Sequence, residues 1–154
     1  MFPVEIINRP ALRLAAVPHR GAYNEISRAF ERLGGVFAAR GLWPQVRGMA
    51  GVYYDNPSEV AVADLRSHAG YAVDDALTLT APLEEVRLPA GRCAVLHFKG
   101  PYTGLAAAYD QLFCTWLPAS GHEAAEAPAY EIYHNTPADT APEDLLTDIC
   151  LPLA

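Results

Sequence analysis

Tyr130-Glu131-Ile132-Tyr133 is the stretch of this sequence best equipped for chemistry. Aromatic and β-branched residues favour a strand, and successive strand side chains point to opposite faces. Glu131 and Tyr133 therefore share one face, and Tyr130 and Ile132 share the other. The second pair reads as core. The first sets a carboxylate beside a phenol, a poor choice for packing and a good one for gripping a cation. The ordinary alternative is a solvated glutamate on an open sheet face, so the reading turns on whether Glu131 faces a pocket or water. Desolvation among aromatic rings raises a carboxyl pKa unless a cation offsets it. Such a setting suits cation binding or, near neutrality, general acid–base work.

Tyr133, Tyr54 and Trp116 are candidate walls for a ligand groove, and Trp43 is placed to cap it from a loop. A ring face attracts a cation with about 0.5–2 kcal/mol, according to exposure. Trp116 also continues a stripe through Leu105, Tyr109 and Leu112, so core and groove both fit it. The histidines, His19, His68, His97, His122 and His134, lack the close spacing of a metal-ligand pair. They read as surface or hydrogen-bonded groups, with His68 and His134 alternatives for the groove. No metal or cofactor is expected, since phosphate loop, nucleophile elbow and dinucleotide fingerprint are all missing.

Composition narrows the partners. The chain has 154 residues, a net charge of −7 and 51% hydrophobic residues, ordinary values for one globular domain over residues 1–154. Without a Lys/Arg cluster, nucleic acid is not an expected direct partner. No apolar run approaches a membrane span, and the first residues lack the pattern of a signal peptide. Cys93, Cys114 and Cys150, set among apolar neighbours, read as reduced thiols of a cytoplasmic protein.

The elements that must position Glu131 come in duplicate. Leu12 to Ala16 reads as a strand and Pro18-His19-Arg20-Gly21 as a turn. Ile26, Phe30, Leu33 and Phe37 form the stripe of an amphipathic helix between an expected N-cap, Asn24, and Gly41. Val46–Tyr54, Val60–Leu65 and Ala69–Val73 read as strands. The pattern then restarts 79 residues on, pairing Tyr23 with Tyr102, Gly21 with Gly100, Leu33 with Leu112 and Phe30 with Tyr109. Carried past the helix, it aligns Tyr54 with Tyr133 and Val52 with Glu131, and one extra residue then brings Leu65 to Leu145. The expected fold is α+β. It is a pseudo-twofold duplication of a strand–helix–strand–strand unit, with repeats at about 3–75 and 82–154. The sheet is antiparallel with both main helices on one face, and the other face or the seam between the halves is left as a groove.

These motifs, in order, resemble the GyrI-like small-molecule-binding domain. The superfamily includes the bacterial DNA gyrase inhibitory protein and the effector-binding domains of AraC- and MerR-type regulators. The residues carrying the resemblance are His97-Phe98-Lys99-Gly100-Pro101-Tyr102, Trp116-Leu117-Pro118-Ala119-Ser120-Gly121, Pro128 to Tyr133, and the closing Leu146 to Leu153. Tyr53-Tyr54-Asp55-Asn56-Pro57 matches in the first half. The resemblance implies a groove for aromatic, often cationic, compounds in which an acid at the position of Glu131 pairs with ligand charge. It looks like a free-standing member. Some such relatives hydrolyse strained cyclopropane-containing alkylating compounds, which would make Glu131 catalytic. A third implied role is inhibition of DNA gyrase through protein contact.

Overall fold

The computed structural model describes residues 1–154 and forms two compact units. No helix is long and apolar enough to cross a membrane. The first unit, Ala11–Pro89, holds β2 (Leu12–Arg20), α1 (Ser27–Arg40), β3 (Gly48–Tyr53), β4 (Arg66–Ala72) and β5 (Glu84–Leu88). Its strands run antiparallel in the order β5–β2–β4–β3. The second unit joins Met1–Pro10 to Ala90–Ala154. It holds β1 (Val4–Arg9), β6 (Gly91–Lys99), α2 (Leu105–Asp110), α3 (Leu117–Ser120), β7 (Ala129–Tyr133) and β8 (Leu146–Pro152). Its antiparallel order is β1–β6–β8–β7. The strand that opens the chain thus pairs in the unit built from the second half, and β5 pairs with β2. The compact units begin and end at different places from the sequence repeats at about 3–75 and 82–154.

Each helix covers one face of its own strands. Ala29, Leu33 and Phe37 are the buried stripe of α1 and pack with Ala15, Val17, Ala69 and Tyr71. Ala108 and Leu112 do the same against Ala94, Leu96, Phe98, Ile149 and Leu151. The α+β class with helices on one face of antiparallel strands is as the periodicity indicates. The caps are not. Asn24 lies in a 3-10 turn, Tyr23–Glu25, and α1 starts at Ser27 with no side-chain cap. Within that turn the backbone bonds to itself: Glu25 N–H donates to Ala22 O at 3.0 Å and Ile26 N–H to Tyr23 O at 3.2 Å. Val60–Leu65 is not a strand either, since Val62–Asp64 is another 3-10 turn.

Hydrogen bonds recur in the two units at a fixed offset, which changes once. Gly21 N–H donates to Leu65 O and Gly100 N–H to Leu145 O, both at 2.9 Å. Asp55 Oδ2 accepts from Arg66 N–H at 2.8 Å, and Asn135 Oδ1 accepts from Leu146 N–H at 2.8 Å. The 3-10 turns that lead into the helices start 79 residues apart, at Tyr23 and Tyr102, but the left-handed glycines ending α1 and α3, Gly41 and Gly121, are 80 apart. The extra residue therefore lies inside the second helix. A π-helical stretch, Gln111–Trp116, sits there, and a π turn is how a helix absorbs one inserted residue. From β7 onward the offset is 80. Glu131 opposite Ile149 then corresponds to Gly51 opposite Ala69, and Tyr133 opposite Thr147 to Tyr53 opposite Ser67. The sequence alignment of Glu131 with Val52, and of Tyr133 with Tyr54, is out by one residue.

Candidate functional site

Strand alternation places Glu131 and Tyr133 on the face of β7 that looks toward the helix, and Tyr130 on the opposite face. Tyr130 is core: its hydroxyl lies 3.7 Å from Cys93 Sγ. Burial, and then the nearby Cys150 and Cys93 thiols, push its pKa well above the ordinary phenol value. Glu131 is only 4% exposed, which settles the choice between an open sheet face and an enclosed one.

Both carboxylate oxygens of Glu131 accept hydrogen bonds from phenols. Tyr133 Oη donates to Oε1 at 2.7 Å, and Tyr109 Oη, projecting from α2, donates to Oε2 at 2.5 Å. Hydrogen bonds to an ionised acceptor are short and about twice as strong as neutral ones, so the carboxylate is held in one orientation. A third tyrosine, Tyr102, meets the Tyr133 ring edge to face at 5.9 Å and 64°. Burial and then the charge of Glu131 raise the Tyr102 pKa. Phe113 stacks on Tyr109 at 6.2 Å and 9°. Tyr102 and Phe113 are the exposed rim, 37% and 38% accessible. The result is a carboxylate held among three tyrosines beneath a partly exposed aromatic rim.

The other residues read from the sequence have partners of their own. Trp116, half-buried, packs against the core under the second helix and stacks on His122 at 6.2 Å. Trp43 and Tyr54 belong to the first unit. Trp43 rests on Tyr71 and Phe37 at 5.6 and 6.1 Å. Tyr54 Oη donates to His68 Nδ1 at 2.8 Å, and His68 Nε2–H donates to Glu84 at 2.8 Å. Tyr109 and Tyr102 were readable only as core stripe and turn packing. One signal for Tyr109 was in the sequence: its counterpart is Phe30 and the counterpart of Glu131 is Gly51, so the phenol and the acid it holds appear together.

On the opposite face of the second unit runs a chain of four charged or titratable groups. His97 Nε2 lies 2.6 Å from Glu5 Oε2 and His97 Nδ1 lies 2.7 Å from Asp148 Oδ1. His134 Nε2 is 2.9 Å from Asp148 Oδ2. Carboxylates only accept, so His97 donates from both nitrogens and is an imidazolium. Burial pulls its pKa down, but the bonds to Asp148 and Glu5 outweigh this and leave it raised. These donors turn on one another, and no group of three or more His, Cys, Asp or Glu is arranged to hold a metal ion. Thr147 Oγ1 and Ser67 Oγ are buried without a hydrogen-bond partner. They occupy equivalent places opposite Tyr133 and Tyr53, which marks them as features of both units and not of the Glu131 site.

The chain belongs to the GyrI-like small molecule binding domain family, whose model matches residues 2–154. It is 28% identical over 138 residues to a DNA gyrase inhibitor of Yersinia enterocolitica, covering 85% of each chain. Its fold matches the C-terminal domain of EcmrR, with a TM-score of 0.77, 16% identity and coverage of 100% and 98%. In the EcmrR–DNA complex the match has a TM-score of 0.81 at 16% identity and spans 57% of that longer chain and 99% of this one. A third similar structure is SAV2435 bound to tetraphenylphosphonium, with a TM-score of 0.71, 13% identity and coverage of 99% and 94%.

Proposed function

We propose that this protein binds small aromatic cations at Glu131. The observation that carries the reading is a nearly inaccessible carboxylate fixed by two phenols inside a set of aromatic rings. Transferring an organic cation from water is costly unless a fixed anion and polarisable ring faces replace its hydration. Glu131 supplies the charge, Tyr133 and Tyr109 orient it, and Tyr102 and Phe113 form the mouth. Trp116, Trp43 and Tyr54 are assigned to packing in this reading. Tetraphenylphosphonium, bound by the similar SAV2435, is a lipophilic cation of the expected class.

The test is a pair of titrations with tetraphenylphosphonium and triphenylphosphine oxide, which share phenyl groups but differ in charge, followed by intrinsic fluorescence. The cation should bind at least ten-fold more tightly, about 1.4 kcal/mol. Equal affinity for the neutral compound would remove the role of Glu131 as anchor. Mass spectrometry of mixtures with strained-ring alkylating compounds tests the hydrolase alternative, in which Glu131 activates water and ligand mass rises by one water.

A further inference from the structure

The first unit carries a hollow that the Glu131 site does not use. It holds about 510 Å3, and its walls include Val17 of β2, Val36 of α1 and Pro82, with Gly35 between them. Gly34 and Gly35 both lie inside α1, where glycine is among the least favourable residues. A Cβ on Gly34 would make ordinary contacts with Trp43 and the Tyr71 hydroxyl at 3.7 Å. Nothing lies within 4 Å of a Cβ built on Gly35. Its φ is not in the left-handed region, so its backbone does not require glycine. Gly35 and Pro82 are exposed, so the missing side chain leaves open space over the helix backbone on the solvent side of the hollow.

Two guanidiniums border the same hollow. Arg32 and Arg40 stand two helical turns apart, about 12 Å along the axis. Arg32 Nη2 donates to the Pro18 carbonyl at 2.6 Å. Arg40 Nη1 donates to the carbonyl and hydroxyl of Thr80, each at 3.1 Å, and Nη2 donates to Ala81 O at 2.6 Å. These partners are neutral, so they fix the direction of each guanidinium without cancelling its charge. An arginine already held in place loses little side-chain freedom when an anion arrives. The hollow continues past Arg32 into a space of about 420 Å3 that includes Glu84, whose carboxylate is tied to His68 at 2.8 Å. That acid repels a negative group at the Arg32 end, which leaves Arg40 as the anion site and disfavours a second charge on the ligand.

We infer that this hollow binds a small apolar monocarboxylate, with its hydrocarbon body over Gly35 against Val17, Val36 and Pro82 and its carboxylate on Arg40. The ligand has the opposite charge to the one proposed for Glu131, and the inference does not rest on that reading. The experiment is an amide-resolved NMR titration of the full chain with 1-naphthoate, using 1-naphthylmethylammonium as the control of reversed charge. Naphthoate should saturably shift amides of residues 32–40 and 80–83, while the cation leaves them in place. Arg40→Gln and Gly35→Leu should each weaken naphthoate binding at least ten-fold. Gly35→Leu should do so with an unchanged or higher Tm, because leucine is the better helix former. The inference is overturned by absence of saturation into the millimolar range, by an equal response to the cation, or by unchanged naphthoate affinity in Arg40→Gln. If Gly35→Leu fails to fold, the Arg40→Gln titration decides alone.

Discussion

Tyr109→Phe removes one oxygen and keeps the ring, so its effect reads the hydrogen bond to Glu131 with little disturbance of packing. The bond runs from a phenol to an enclosed carboxylate at 2.5 Å. Hydrogen bonds to charged groups contribute about 1.5–3 kcal/mol, and a buried acceptor left short of a donor keeps its desolvation cost. The expected loss is about 2 kcal/mol, which for a chain of this size lowers Tm by roughly 4–8 °C. Tyr133→Phe removes the second donor, at 2.7 Å, and should cost a similar amount. Because both act on one carboxylate, the double variant should depart from additivity by at least about 0.5 kcal/mol. Tyr102→Phe is the control, because Tyr102 reaches the site through its ring, and its cost should stay within about 0.5 kcal/mol. Urea unfolding with unchanged m-values measures all four proteins on one scale. If Tyr109→Phe costs no more than Tyr102→Phe, the phenols do not hold Glu131 and the site as described is wrong.

Three further outcomes follow from other parts of the molecule. His97 has a raised folded pKa, so its contribution to stability is complete below the unfolded value of about 6.5 and fades as pH rises through the folded value. Urea unfolding from pH 5.5 to 8.5 should show wild type losing more stability than His97→Gln; parallel profiles would refute the clamp between Glu5 and Asp148. Gly104→Ala would set a Cβ 2.9 Å from Phe98 Cζ, against a ring that is itself buried, and overpacking of this kind costs about 1–3 kcal/mol. A Tm equal to wild type would show that Phe98 yields freely. Burial pushes the Cys150 thiol up to about 12, Cys93 is also buried, and Cys114 is exposed. Iodoacetamide should therefore alkylate Cys114 quickly in the native state, and the other two only after denaturation.

Much of this was legible because it depends on local periodicity. The alternation of Tyr130 to Tyr133 assigned the two faces of β7, and the four-residue steps through Leu33 and Phe37 gave α1. Enclosure of Glu131 was not legible, since it depends on a phenol reaching down from α2, and contact between a helix and a strand leaves no local pattern. The partner of β1 was hidden for the same reason: Val4–Arg9 reads as extended wherever it pairs. The extra residue was misplaced because matching residue types tolerates a gap at several positions. The 80-residue spacing of Gly41 and Gly121 located it in the helix, where a π turn accommodates it. Asn24 looked like a cap because its side chain favours that role, yet it lies in a 3-10 turn, and α1 starts at Ser27 without a side-chain cap.

Calorimetric titration of tetraphenylphosphonium into wild type and Glu131→Gln puts the central claim to its most direct test. The substitution keeps the shape of the side chain, removes its charge and turns one of its two acceptors into a donor. With the anion as anchor, affinity should fall at least ten-fold, about 1.4 kcal/mol, while the affinity for triphenylphosphine oxide stays within two-fold, about 0.4 kcal/mol. Equal tetraphenylphosphonium affinity in the two proteins, with both folded, would contradict the assignment of Glu131 as the cation site.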